Sequence, residues 1–172
     1  MKIVLIIIAV LVVLVLLYLV STYNTLVALR NKVKDQWAQI DVVLKNRNDL
    51  IPNIVETVKG YAKHENNTLK EVIEARSKMA SASTKEDEIK ASGAVTEALG
   101  KLFALAESYP ELKANVNFLD LQGKLNEIEE KIRFSRQFYN DSVLTYKNKL
   151  EMFPSNIVAG MFGFKPEAFF EA

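Results

Sequence analysis

The first twenty residues constrain this chain more than any other stretch, because they form an unbroken apolar run. Residues Ile3–Val20 include no charged residue, no proline and no glycine, and only Tyr18 carries a polar side-chain atom. As an α-helix this run would be about 27 Å long, close to the ~30 Å hydrocarbon thickness of a bilayer. A helix also satisfies its own backbone N–H and C=O groups, as lipid requires. The sequence therefore predicts a transmembrane helix over Ile3–Val20.

The alternative for this run is a cleaved secretory signal. The apolar core of such a signal is usually ~7–15 residues long and ends at an A-x-A-like site. Here the core is longer, and Ser21-Thr22-Tyr23 is a poor cleavage site. The chain has no cysteine, so it cannot carry the lipid-modified cysteine of a lipoprotein. We interpret the run as an uncleaved anchor in residues 1–22.

Composition excludes several classes of function. The chain has 22 Lys and Arg residues against 21 Asp and Glu, so it lacks the basic excess expected of a nucleic-acid binder. The single histidine, His64, and the lack of cysteine leave out the usual zinc sites. No nucleophile elbow, phosphate loop or dinucleotide-binding glycine pattern is present. We expect no cofactor, no catalytic or metal-binding residues and no nucleic-acid partner.

Charges on the two sides of the span bear on its orientation. Lys2 precedes the span, whereas Arg30, Lys32 and Lys34 follow it, partly offset by Asp35. The positive-inside rule therefore slightly favours a cytoplasmic domain.

Beyond the span, apolar residues recur at spacings of three and four, which predicts α-helices. The first helix would continue without a break to about Tyr61. Three more would follow, at about 66–79, between Ser83 and Pro110, and at about 113–150. A capping box of Ser83 and Glu86 would start the third helix, and Pro110 would end it. No useful length of strand-like alternation occurs. We predict an all-α fold in which the transmembrane helix continues into an antiparallel up-and-down bundle of about four helices, with long first and last helices.

The first helix carries a seam of the coiled-coil type. Its positions are Leu26, Arg30, Val33, Trp37, Ile40, Leu44, Arg47, Ile51, Ile54, Val58 and Tyr61. The two arginines leave two interpretations open. Either their stems pack while their charged ends reach a carboxylate or water, or they form buried pairs that fix the register.

Polar residues surround a proline inside this helix. Pro52 removes one backbone hydrogen bond, so we expect a kink near residues 48–52. Arg47, Asn48, Asp49 and Asn53 would then form a polar network around the backbone groups that the proline frees. A ligand-binding role for this cluster is the alternative.

An acidic cluster lies on the last predicted helix. Glu127, Glu129 and Glu130 could suggest a carboxylate metal site, but di-iron bundles also need paired Glu-x-x-His motifs, which one histidine cannot supply. A solvated helix face supporting Arg133 is the better interpretation.

The chain ends in an apolar, Phe-rich tail over residues 153–172. Folded as an antiparallel bundle, the last long helix would bring this tail back to the bilayer. The tail would either pack against the bundle base, or contact the membrane interface or another subunit. The candidate contact residues are Phe153, Ile157, Met161, Phe162, Phe164, Phe169 and Phe170.

Motifs along nearly the whole chain resemble the LemA family of bacterial membrane proteins. The matching segments are Tyr23-Asn24, Arg47–Asn53, Glu56–Tyr61, Glu107–Ala114, Tyr139-Asn140 and the Phe153-Pro154-Ser155 ending. The resemblance implies a single N-terminal span in the bacterial inner membrane and a helical bundle over 23–152, with no catalytic residues to carry over. A relative in magnetosome-forming bacteria is associated with membrane invagination, so the resemblance also implies membrane shaping.

Two functions follow as hypotheses. The first is a non-enzymatic, membrane-anchored scaffold whose copies assemble as a homo-oligomer through the seam and the tail and organise or remodel the bilayer. The alternative is an adaptor or sensor that docks a partner membrane protein through the bundle tip, residues 61–67.

Overall fold

The computed structural model describes residues 1–171, and in this part of the chain the secondary structure is entirely helical. The helices in chain order are α1 (Lys2–Lys59), α2 (Asn66–Ser81), α3 (Lys85–Ala106), α4 (Pro110–Lys113), α5 (Val116–Glu151) and α6 (Ser155–Met161). The predicted all-α class is confirmed, with a long apolar N-terminal helix. Two short helices, α4 and α6, add to the four that the sequence predicts.

Helix α1 changes its pattern of burial at Thr22. Between Ile3 and Val20 almost every side chain is exposed, whereas Thr22 is only 5% exposed. From there on a single stripe is buried, and it follows the predicted seam: Leu26, Val33, Ile40, Leu44, Arg47, Ile51, Ile54 and Val58. Burying each aliphatic side chain contributes about 1.5–3 kcal/mol. The seam is therefore occupied by the protein's own core, which removes it as a free surface for joining copies.

The chain divides into two compact units. Unit 1 consists of Met1–Ala38 and Gln137–Phe169, and unit 2 consists of Gln39–Arg136 together with the C-terminal residues from Phe170. The sequence-based division into an anchor (1–22), a bundle (23–152) and a tail (153–172) stays a prediction.

In unit 1 the first part of α1 packs against the end of α5 in antiparallel fashion. The rings of Trp37 and Tyr139 meet edge to face, with centroids 5.3 Å apart. A second pair lies seven residues away on each helix, Arg30 on α1 and Tyr146 on α5. Burial raises the pKa of the Tyr146 hydroxyl, and the positive charge of Arg30 opposes that shift. Burial and, second, the negative charge of Glu167 raise the pKa of Tyr139 to about 12, so this hydroxyl stays protonated as a donor.

In unit 2 the apolar faces of α2 and α3 lie against each other. Leu69, Val72 and Met79 are buried on α2, and Val95, Leu99 and Leu102 on α3. The predicted capping box is wrong by one residue, because Thr84 is the N-cap instead of Ser83. Its hydroxyl accepts a hydrogen bond from the Asp87 N–H at 3.1 Å and donates to the Asp87 carboxylate at 2.7 Å.

Asn115 is the N-cap of helix α5 and ties it to Tyr61, two residues after the end of α1. Its side-chain oxygen accepts the Phe118 N–H at 3.0 Å, as an N-cap does, and its amide nitrogen donates to the Tyr61 hydroxyl at 2.8 Å. Helix α5 therefore begins at Val116, three residues later than the sequence predicts, and Pro110 opens the short helix α4.

Candidate functional site

The C-terminal tail forms a short helix that sequence reasoning missed. The Ser155 hydroxyl donates to the carbonyls of Lys149 at 2.7 Å and Met152 at 2.9 Å, which joins the end of α5 to the start of α6. At the other end Gly163 has φ of +70°, in the left-handed region that favours glycine. The Phe164 N–H then reaches the Ala159 carbonyl at 3.0 Å, so α6 ends in a Schellman motif. The sequence signals that could have located this helix are a serine near its start, Ser155, and a glycine after its end, Gly163.

This helix places aromatic rings against α1 directly after the apolar run. Tyr23 lies three residues beyond Val20, and its ring centroid is 4.8 Å from that of Phe162 and 5.6 Å from that of Phe164. The Arg30 guanidinium lies over the other side of the cluster, 5.1 Å from the Phe164 ring centroid. We call Tyr23, Arg30, Phe162 and Phe164, with helix α6, the base of unit 1.

The candidate contact residues of the tail separate into exposed and covered groups. Phe153, Met161, Phe162 and Ile157 are 79%, 63%, 54% and 53% exposed. On the other side of α6, Ser155, Val158 and Ala159 are buried. Phe164 and Phe169 are half-buried, and Phe170 is buried in unit 2 with the Arg136 guanidinium 5.9 Å from its ring. Helix α6 therefore holds on to unit 1 by one face and leaves an apolar face open.

The proline of α1 leaves one carbonyl without its helical partner. Pro52 has no N–H, so the carbonyl of Asn48, four residues earlier, loses its hydrogen bond. Arg76 of α2 supplies the missing donor, with its Nε 3.3 Å from the Asn48 oxygen. The Asn48 side-chain oxygen is buried without a partner among the described residues, while Asp49 and Asn53 are exposed. The sequence pointed to the proline, but Arg76 lies 28 positions away from Asn48 and gave no signal. The kink itself stays a prediction.

Arg47, the first residue of the same segment, is a buried cation. Its side chain is 1% exposed, and one guanidinium nitrogen donates to Glu129 at 2.7 Å and to the Thr96 hydroxyl at 2.8 Å. The other nitrogen donates to the Ser92 carbonyl at 3.0 Å and to its hydroxyl at 2.9 Å. For Arg47 the structure therefore lies between the two interpretations, because the guanidinium is buried while its partner Glu129 is 32% exposed. Arg47 of α1 thereby connects α3 to α5.

A groove lies over this network between α3 and α5. Its volume is about 730 Å³, and its lining includes Ser92, Gly93, Thr96, Glu129 and Phe170. A side chain at Gly93 would meet nothing within 4 Å, so the missing side chain opens the groove.

The three glutamates of α5 point to different partners. Glu127 pairs with Lys131 at 2.7 Å and Glu130 with Arg133 at 2.6 Å, on the helix surface. Glu129 instead turns inward to Arg47. Within residues 1–171, no group of three or more acidic or histidine side chains could hold a metal ion.

These features define an all-α protein with a candidate membrane helix, since among the described residues α1 alone is long and apolar enough to cross a bilayer. Residues 36–172 match the model of the LemA family. The chain therefore belongs to the LemA family.

Individual relatives are identical to this chain at about a quarter of the aligned positions. Magnetosome protein MamQ 2 of Paramagnetospirillum magneticum is 25% identical over 179 residues, covering 89% of this chain and 66% of the relative. Protein LemA of Metamycoplasma hominis is 25% identical over 150 residues, covering 87% and 68%. Magnetosome protein MamQ of Magnetospirillum gryphiswaldense is 24% identical over 178 residues, covering 88% and 65%. The chain thus spans slightly under two thirds of the length of the MamQ relatives.

The contact between Arg76 and the freed carbonyl predicts a coupling with the proline. Replacing Arg76 by Met should lower the free energy of unfolding by about 1 kcal/mol, because the Asn48 carbonyl loses its donor. In a Pro52→Ala background the restored amide can bond that carbonyl, so the same replacement should cost less. Chemical denaturation of the four variants measures the coupling, and an equal cost in both backgrounds would refute it.

The Arg47 network predicts that replacing its carboxylate partner, Glu129, lowers the free energy of unfolding more than breaking a surface ion pair does. A Glu129→Gln change leaves the buried guanidinium without its carboxylate, and we expect a loss of about 1–3 kcal/mol, reduced from the fully buried case because Glu129 is 32% exposed. Arg47→Met removes the charge itself, so adding Glu129→Gln to it should cost little more. Glu127→Gln, which breaks a surface pair, is the matched control and should change stability by less than about 1 kcal/mol. Similar losses for both glutamates would contradict this account.

Proposed function

We propose that this protein is a non-enzymatic scaffold that is attached to one bilayer at two places, the span and the tail. The open apolar face of α6 beside Tyr23 is the observation that carries the proposal. A residue three positions past the apolar run lies only about 5 Å beyond its end. The face formed by Phe153, Ile157 and Met161 is therefore within reach of the lipid interface.

The free energy available at this face is sufficient for attachment. Burying one exposed Phe contributes about 2 kcal/mol at ~25 cal/mol per Å². Because the span already holds the chain at the bilayer, inserting the tail is an intramolecular step with a small entropic cost. Partial insertion of a few side chains is then enough to keep the tail at the interface.

Self-assembly into a homo-oligomer that organises or remodels the bilayer is the second part of the proposal. Since the seam of α1 is buried in the protein's own core, copies would meet through the span and the tail instead. Membership in the LemA family, and relatives whose names describe magnetosome proteins, support a structural role.

The proposed location is the bacterial inner membrane, crossed once, with the folded units in the cytoplasm. The fold supports this orientation because it adds cations to the domain side. Lys149 at the end of α5 and Lys165 of the tail join Arg30, Lys32 and Lys34, against Lys2 on the other side.

A second candidate function is the adaptor that docks a partner membrane protein at the tip around residues 61–67. A cleft of about 320 Å³ in unit 2 favours it, lined by Tyr61, Tyr109, Pro110 and Glu111. The Tyr109 hydroxyl is held by Glu65 at 3.2 Å, so the cleft wall is fixed. Pull-down with a Tyr109→Ala chain separates the two functions, because the adaptor would lose its partner and the scaffold would keep its self-association.

The attachment of the tail can be measured with a single label, because the chain has no cysteine of its own. We expect a fluorophore on a Phe153→Cys variant, reconstituted full-length in lipid nanodiscs, to be quenched by lipids with nitroxides on their acyl chains. A label on a Val42→Cys variant is the control, since Val42 is 57% exposed and belongs to unit 2. It should remain unquenched.

Equal quenching at the two positions, or none at Phe153, would overturn the membrane attachment. Self-assembly is tested separately by the mass of the full-length protein in detergent and in nanodiscs. We expect more than one copy per particle, and monomers under both conditions would refute the oligomer.

A further inference from the structure

We propose that the base of unit 1 is a docking surface for anionic phospholipids, with Lys149 and Lys165 as its headgroup contacts. This inference rests on the proposed attachment of the tail to the bilayer and adds the class of lipid that the surface takes.

The first observation is that charge is segregated in a chain whose net charge is only +1. On the domain side of the span, unit 1 carries six Lys and Arg residues against four Asp and Glu. Unit 2 carries fifteen against seventeen. The unit that holds the span is therefore the one with a net positive charge on its domain side, and an anionic surface complements it.

The second observation is that two of the lysines nearest the tail lack a carboxylate partner among the described residues. A third, Lys147, has its ammonium 5.9 Å from the Phe169 ring centroid and pairs with Glu151 at 3.9 Å. Within the described part of the chain, Lys149 and Lys165 take part in no ion pair.

Arg30 is half-buried beside Phe164, and its Nε is buried without a hydrogen-bond partner among residues 1–171. Lys165 is exposed and Lys149 is half-buried. Positive charge without a carboxylate partner beside an apolar face is the combination that anionic lipid surfaces bind.

The third observation is where these two lysines lie. Lys165 directly follows Phe164, whose ring packs against Tyr23 at 5.6 Å, just past the apolar run. The carbonyl of Lys149 accepts the Ser155 hydroxyl at 2.7 Å, so this residue is tied to the start of α6. The two lysines therefore belong to the segments on either side of the open apolar face, next to residues that the structure fixes. If the tail reaches the interface as proposed, flexible lysine side chains at these positions can approach headgroups within about one Debye length, ~8 Å.

Zwitterionic lipids offer no net charge to these lysines, whereas an anionic surface attracts each of them. A lysine close to such a surface contributes about fivefold in affinity. The base should therefore gather anionic lipids around the protein in a mixed bilayer.

The test uses the full-length protein labelled at Phe153→Cys in nanodiscs of mixed phosphatidylcholine and phosphatidylglycerol. Energy transfer to a trace acceptor lipid of either kind gives the enrichment of phosphatidylglycerol over phosphatidylcholine beside the label. We expect several-fold enrichment at low salt that falls as salt is raised. A Lys149→Gln/Lys165→Gln variant should lose most of this enrichment, because both proposed headgroup contacts are gone. A Lys63→Gln/Lys70→Gln variant, with the same change in charge on exposed lysines of unit 2, should keep the enrichment.

No enrichment, or enrichment that the Lys149→Gln/Lys165→Gln variant retains, would overturn the lipid assignment. Nitroxide quenching of the same label in phosphatidylcholine alone separates this failure from that of the proposed function. Quenching without enrichment leaves the two-place attachment standing and removes only the anionic preference. Absence of both removes the attachment as well, and label-to-label energy transfer between copies would then show that the tail face joins subunits.

Discussion

The first helix changes from apolar on every side to apolar on one side, and the rest of the structure depends on where that change occurs. Up to Val20 its side chains are apolar on every side, which suits lipid and offers no direction for packing. From Thr22 onward only one stripe is buried, so the same helix becomes the spine of a protein core. The base of unit 1 forms at this boundary, because Tyr23 is the first ring that can meet the returning tail.

Buried polar groups set a second constraint, since a helical core leaves few donors to spare. Because Pro52 has no N–H, the Asn48 carbonyl has no partner within α1, and Arg76 of α2 donates to it. Arg47 is instead a buried donor that is cut off from water. Its guanidinium donates to three residues, two on α3 and one on α5. Such contacts have few alternatives, so they fix how α2, α3 and α5 lie against the middle of α1 within unit 2.

The sequence predicted the helices well because their signals are local. Spacings of three and four marked α1, α2 and α5, and the stripe from Leu26 to Val58 is the buried one. The errors arose where a single contact decides. Thr84 is the N-cap instead of Ser83 because its hydroxyl bonds both the backbone N–H and the carboxylate of Asp87. Helix α6 forms because Ser155 stabilises its start and Gly163 its end. Partners far apart in sequence, such as Arg47 with Glu129 and Arg76 with Asn48, could not be found from spacing.

The chain segments that make up each unit determine when its contacts can form during synthesis. Unit 2 is drawn mainly from one continuous segment, Gln39–Arg136, whereas unit 1 combines the first 38 residues with residues 137–169. A ribosome releases Tyr23 long before Phe162 and Phe164, so the rings of the base cannot meet until synthesis is nearly finished. Unit 2 can therefore form its contacts earlier in synthesis, and the contacts of unit 1 form last. Throughout that interval Tyr23 lacks the two rings that pack against it in the finished unit, so the base is the last aromatic cluster to form.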